Sequence, residues 1–400
     1  MYRCVALAAS LLFAALFARP ARADNYLVLP FFNQSHEKNL DWIGDSLAEA
    51  VREALASEGL VALDRPDRKE AYQRLSIRPY TILTKASVVK IGQSLDAEQV
   101  VFGEFELRPV IDSKEATRGS LRVTAHVLDL RHLKEGPDFG EVGALEDLAT
   151  LQRHLAWQTL QFVDPKHGPP EADFVRRHPA IRLDAIENYV RGLLASSSEE
   201  KHRLFTQAVR LDPRYTQPCF QLGKLHLQRS EYKLAADWFQ KVTQDDVHFR
   251  ESSFLLGLSR FYTGDYAASE RAFQSVADVV PLNEVYNNLG AAESRRSQAH
   301  ALENLQKALS GDESDPTYHF NVGYYLWKQG RFDLAASRFQ AVLERNPDDK
   351  EARTLLARCE KKSGPRPGDT KTEALERLKA NYQESAWWQL KAALEPHKEE

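Results

Sequence analysis

The chain has 400 residues, 28% charged and 43% hydrophobic, with a formal net charge of −4. That length and apolar content allow two or three domains, each with its own core. Residues 1–23 hold three arginines and no acidic residue, so a chain without them would stand near −7; such a balance excludes general nucleic-acid binding, which needs a basic face to displace counterions from phosphate.

Arg3 supplies a positive start, Cys4 to Ala18 is an apolar run too short for a comfortable membrane span, and Ala21-Arg22-Ala23 is a small-x-small cleavage pattern. Together they predict a secretory signal over 1–23. No later stretch is long and apolar enough to cross a membrane, so no integral membrane segment is expected after signal removal. In a Gram-negative cell the product would be secreted across the inner membrane and periplasmic.

From Tyr26 to Pro30 a continuous apolar run predicts a strand buried on both faces. Ile43, Leu47, Val51 and Leu55 then recur at helical spacing, and Gly59 stops that helix. Leu60 to Leu63 reads as a second strand, and Arg68 to Leu75 as a short helix. Thr84 caps another helix, which runs through Val88, Ile91 and Leu95. Strands are expected at Gln99 to Leu107 and Ser120 to Leu130; the latter alternates, with Leu121, Val123, Ala125 and Val127 inward. A final helix spans about Leu145 to Phe162. This order predicts a small α/β domain with a mixed sheet over residues 24–163. Asp45, near the start of the first long helix, could answer a ligand at the strand ends or simply favour the helix N-terminus.

The pieces Leu29-Pro-Phe-Phe-Asn33, Trp42-Ile-Gly-Asp-Ser-Leu47, Val101-Phe-Gly-Glu104 and Leu121-Arg-Val-Thr-Ala125 with Asp129 resemble the TolB amino-terminal-like domain. In bacteria similar domains occur in proteins that also carry a cyclase, kinase or DNA-binding output domain; here the signal-like segment 1–23 stands in that place, which favours an envelope role, and the resemblance implies no catalytic residues.

Asp164 to Glu171 is too rich in proline for a helix, and 164–182 reads as a linker. Beyond it, Gly223, Gly257, Gly290 and Gly323 stand 34, 33 and 33 residues apart. Twelve residues after three of them come Ala235, Ser269 and Ala335, and four later Phe239, Phe273 and Phe339; the Gly290 copy has Ala301 and Leu305. Gly330 marks a turn within a copy, and Pro347 ends the last full one. A small–aromatic–proline period near 34 identifies residues 183–362 as similar to tetratricopeptide repeats. Cys219 and Cys359 fall in distant hairpins of such an array, which touch only neighbours, so two buried free thiols are expected. A linker at 363–371 and an amphipathic helix from Thr372 to Leu394, in a tail segment 372–400, close the chain. The fold class is thus α+β multidomain: a small α/β mixed-sheet domain followed by an all-α repeat solenoid.

The resemblance implies that the first helix of each hairpin lines a concave groove. By register this partner-binding face includes Phe220, Lys224, Phe254, Leu258, Phe261, Asn287, Ala291, Phe320, Tyr324 and Trp327. Rich in aromatics and poor in cations, the set lacks the Lys and Asn constellation that grips a free carboxyl terminus. An apolar or extended peptide is the expected ligand. No nucleophile elbow, phosphate loop or zinc motif is present, and the histidines are scattered, so no catalytic residue, metal or cofactor is expected. Asp245-Asp246 and Asp348-Asp349 lie at inter-helix turns, where capping accounts for them. The expected function is a non-enzymatic exported adaptor binding a protein or peptide partner of the cell envelope. The alternative is a ligand-sensing or accessory subunit of an envelope complex, acting through the α/β domain.

Overall fold

The computed structural model describes residues 25–35, 37–109, 119–366 and 368–394. The expected signal at 1–23 lies outside them. The chain divides into two compact bodies, Met1–Pro179 with Glu384–Glu400, and Ala180–Gln383.

In the first body, strand β1 (Asn25–Val28) pairs in parallel with β3 (Val61–Ala62) on one side and β4 (Gln99–Pro109) on the other, and β2 (Phe32–Asn33) extends the parallel pairing along β4. On its far edge β4 meets β5 (Gly119–Asp129) antiparallel over its whole length. β6 (Lys134–Glu135) and β7 (Phe139–Ala144) then pair antiparallel with β5. Helix α1 (Asp41–Ser57) buries Ile43, Leu47, Val51 and Leu55, the stripe read from sequence. It packs beside α4 (Leu148–Val163), while α2 (Arg65–Arg74) and α3 (Lys85–Ser94) contribute Ala71, Val88 and Ile91 to a core with Leu27, Leu29, Val100 and Leu128. The mixed sheet is as expected, but β7 had no signal in the sequence: Gly140 and Gly143 interrupt its alternation, and it lies where half its side chains are exposed. The 164–182 segment is not featureless, because α5 (Glu171–Arg177) forms after Pro170 and buries Phe174.

The second body is a stack of helical hairpins: α6 (Leu183–Leu194) with α7 (Ser198–Leu211), α8 (Gln217–Gln228) with α9 (Tyr232–Phe239), α10 (Phe249–Tyr262) with α11 (Tyr266–Ala277), α12 (Asn283–Arg295) with α13 (Ala301–Gly311), and α14 (Pro316–Lys328) with α15 (Phe332–Arg345). α16 (Lys350–Glu360) covers the open end. Within each full hairpin the aromatic or leucine side chain of the second helix sits on the glycine of the first, and Phe239, Phe273, Leu305 and Phe339 are all buried. The intra-hairpin turns repeat too. Ser230, Gly264, Ser297 and Gly330 have φ of +58°, +81°, +56° and +73°. The residue after each donates its N–H back to the carbonyl five residues earlier, as in Glu231 to His226 at 2.9 Å and Arg331 to Leu326 at 2.9 Å. This left-handed closure satisfies the last carbonyls of the first helix. Cys219 and Cys359 are free and buried, as expected, and burial pushes each thiol up to about 11.

The tail departs from its reading. Leu375, Leu378 and Tyr382 recur at helical spacing, yet the backbone is irregular from Gly368 to Gln383, and among the described tail residues only α17 (Glu384–Leu394) is helical. The stretch before it first closes short turns, with the Thr372 and Glu373 N–H groups on the Asp369 carbonyl, and then, at Arg377 and Lys379, donates its N–H groups to asparagine side chains of the repeat helices.

Candidate functional site

The inner helices α10, α12 and α14 hold residues 372–382 of the same chain. Asn288 and Asn321 stand at the same register position, two residues before Gly290 and Gly323, on consecutive first helices. A carboxamide carries both a donor and an acceptor, so it can pair with both backbone groups of one residue. Asn321 Nδ2 donates to the Arg377 carbonyl at 2.7 Å, and the Arg377 N–H donates to Asn321 Oδ1 at 2.9 Å. Asn288 does the same to Lys379, at 2.8 Å in both directions. Asn287 links the two clamps: it donates to the Arg377 carbonyl at 2.9 Å and to Asn288 Oδ1 at 3.1 Å, and its Oδ1 accepts from Asn321 at 2.8 Å. All three asparagines are essentially fully buried. Further along, the Tyr324 hydroxyl donates to the Thr372 carbonyl at 2.7 Å, and Trp327 Nε1 donates to the Ser363 carbonyl at 2.8 Å. Burial pushes the Tyr324 phenol up to about 12, so it stays a donor.

The side chains between these clamps enter pockets of alternating charge. The Glu376 carboxylate, with a side chain 2% exposed, sits 2.7 Å from Arg295 and 3.0 Å from Lys328, and accepts from the Ser294 hydroxyl at 3.3 Å. Arg295 and Lys328 are themselves equivalent, each five residues after a hairpin glycine. Arg377 turns the other way. Its guanidinium lies 3.4 Å above the Phe320 ring centroid and donates to Asp349 at 2.7 and 2.9 Å and to Glu351 at 2.8 Å. Burial pushes Asp349 up, but the Arg377 hydrogen bonds, the Ala352 N–H and the cationic charge outweigh it, and the carboxyl titrates below its ordinary range. Lys379 pairs with Asp315 and lies over Tyr318 at 4.9 Å. Leu375 packs on the core of the last hairpins, and Tyr382 meets the Phe254 ring at 4.8 Å between centroids.

Of the residues singled out from sequence, Phe254, Asn287, Phe320, Tyr324 and Trp327 touch the tail. Phe261 carries Arg295 over its ring at 5.6 Å, while Leu258 is buried. Phe220 and Lys224, further toward the amino terminus, engage instead His248, stacked at 4.3 Å, and Glu251 at 3.3 Å. The expectation of a cation-poor inner face is corrected by Arg295 and Lys328, which the tail carboxylate neutralises. Asn288, Asn321, Asp315 and Asp349 were also missed as groove residues. The signal for the asparagines was their identical register 33 residues apart. Asp349 does cap α16, accepting from the Ala352 N–H at 2.9 Å, but it grips Arg377 as well.

In the first body Asp45 is 5% exposed and fully engaged within the fold, with Arg65 and Arg68 each at 3.2 Å and Tyr80 at 3.0 Å. Among the described residues no group of three or more His, Cys, Asp or Glu is placed to hold a metal, and no helix is long and apolar enough to cross a membrane.

No curated protein sequence matches the chain. Among solved structures, a MamA double mutant is 25% identical, with a TM-score of 0.36 over 40% of this chain and 92% of that one. MamA from Desulfovibrio magneticus RS-1 is 23% identical, with the same score and coverage. YrrB, described as a TPR protein with an unusual peptide-binding site, is 21% identical, with a TM-score of 0.34 over 47% of this chain and 90% of that one. The part of the groove from Phe320 to Lys362, with α15, α16 and most of α14, matches the tetratricopeptide-repeat family.

Proposed function

We propose that this protein is a non-enzymatic adaptor whose repeat groove binds an extended segment of a partner protein. The observation that carries this reading is the pair of asparagine clamps, which hold the N–H and C=O of alternate residues and so recognise extended backbone whatever its side chains. Aromatic and charged pockets beside the clamps supply selectivity. The leader-like residues 1–23 favour export and an envelope partner in the periplasm. Asp45 is already occupied by Arg65, Arg68 and Tyr80, which weighs against ligand sensing through that residue.

The test has two arms. Envelope proteins retained by the full chain should be lost from an Asn288→Ala/Asn321→Ala double variant; identical retained sets would reject the groove. Periplasmic fractionation, with a mature amino terminus at Asp24, should report the export; a cytoplasmic chain with residues 1–23 intact would reject it.

A further inference from the structure

The tail is a worked example of what the groove accepts, and it is held in a removable way. Among the described residues no strand or helix forms between Ser363 and Gln383, so its departure breaks side-chain clamps and ion pairs but no secondary-structure element. The pockets are nonetheless specific. Position 376 faces Arg295 and Lys328, position 377 faces Asp349, Glu351 and the Phe320 ring, position 379 faces Asp315 and Tyr318, and position 382 faces Phe254. An occupant with reversed signs would bring a cation against Arg295 and Lys328 and a carboxylate against Asp349, Glu351 and Asp315. Like charges opposed in a partly desolvated site are strongly disfavoured.

We propose that the groove's ligand in trans is an extended peptide segment of the pattern Glu-Arg-x-Lys with an aromatic three residues further on, and that residues 372–382 are a tethered copy of it that must leave before the partner enters. This rests on the peptide-groove reading above. A tether as short as the stretch after α16 sets an effective concentration on the order of 1 mM, and a competitor's apparent affinity falls with the fraction of grooves left open. Occlusion of about tenfold or more follows for a peptide whose own dissociation constant is on the order of 100 µM or tighter.

The experiment uses the full chain and two fluorescent peptides in polarisation titrations: one with the sequence of residues 370–383, the other with its charges exchanged by Glu376→Lys, Arg377→Glu and Lys379→Glu. The same three substitutions, placed in the tail of a second full chain, loosen the tethered copy; helix content by circular dichroism verifies its fold, and Glu376→Gln alone serves as a milder opening. The native-sequence peptide should bind the exchanged-tail chain at least tenfold more tightly than the wild-type chain, with Glu376→Gln in between, and the exchanged peptide should fail on both. Equal, measurable affinity of the native peptide for wild-type and exchanged-tail chains overturns the gate. Equal binding of both peptides to the exchanged-tail chain overturns the charge pattern while leaving the backbone groove intact. Failure of both peptides on the exchanged-tail chain overturns this proposal and the groove reading together.

Discussion

Asn321 holds both backbone polar groups of Arg377, 56 residues away, at 2.7 and 2.9 Å. Replacing it by alanine leaves the Arg377 N–H without a partner, while the Arg377 carbonyl keeps Asn287 at 2.9 Å, and the lost pairing in this part-buried site costs about 1–3 kcal/mol. Asn321→Ala should therefore raise amide exchange across residues 372–382 roughly 5- to 150-fold while helix content stays constant. Exchange as slow as in the wild type would contradict the clamp.

Glu376 offers its carboxylate to both Arg295 and Lys328. Those cations are 17% and 23% exposed, so part of the cost of unpairing them is recovered from water, and Glu376→Gln should weaken docking by about 2 kcal/mol. Trypsin is the readout, because Arg377 and Lys379 are shielded when docked. Cleavage after these two residues should speed up by roughly 30-fold, and an unchanged rate would refute the pairing.

The four repeat turns carry an internal control. Gly264 and Gly330 adopt the left-handed conformation without a Cβ, whereas Ser230 and Ser297 adopt it at a steric cost. Ser297→Gly is expected to stabilise the array by about 0.5–1 kcal/mol, seen as a higher denaturant midpoint. A lower midpoint would mean that the serine makes a compensating interaction.

Hairpin packing should grade with the room at each glycine. A Cβ at Gly223 would meet the Phe239 ring at 2.5 Å, but one at Gly323 meets its nearest neighbours, Arg338 and Phe339, at 3.1 Å. Gly223→Ala should destabilise by about 1–3 kcal/mol through overpacking. Gly323→Ala should come close to neutral, because the gain in helix propensity, about 1 kcal/mol, offsets the milder crowding. Thermal melts that rank the two the other way would show that the rings do not sit on the glycines as described.

His319 supplies a pH dependence. Burial, together with the charges of Arg345 and Arg338, lowers its pKa from 6.5, against the hydrogen bond to the Glu313 carbonyl at 2.9 Å. The unfolded chain then binds the proton more readily than the folded one. Stability is complete above pH 6.5 and is lost as pH falls through the folded value. The melting temperature should drop between pH 7.5 and 5.5, and His319→Gln should flatten part of that slope. An identical slope in the variant would exclude His319 as a contributor.

What the sequence makes legible is packing within a hairpin. Gly223, Phe239 and their copies recur because a close helix crossing admits few residue types, and the alternation of Leu121, Val123, Ala125 and Val127 marks β5 for the same reason. The groove was half legible. Its aromatics stood out, but Asn288, Lys328 and Asp349 read as ordinary polar residues on solvated faces, since nothing local shows that a distant segment will cover them. The tail was misread because Leu375, Leu378 and Tyr382 carry a helical period, while the backbone of Arg377 and Lys379 among them is held by asparagines 56 and 91 residues upstream. Local periodicity held only from Glu384, where no clamp competes for the N–H and C=O groups.

The clamps also set a ruler. Asn321 takes residue 377 and Asn288, one hairpin nearer the amino terminus, takes residue 379, so the bound strand runs against the order of the repeats and advances two residues for each. Every clamped position must offer an N–H. Proline, which has none, is thereby barred from alternate positions of any bound segment and tolerated between them.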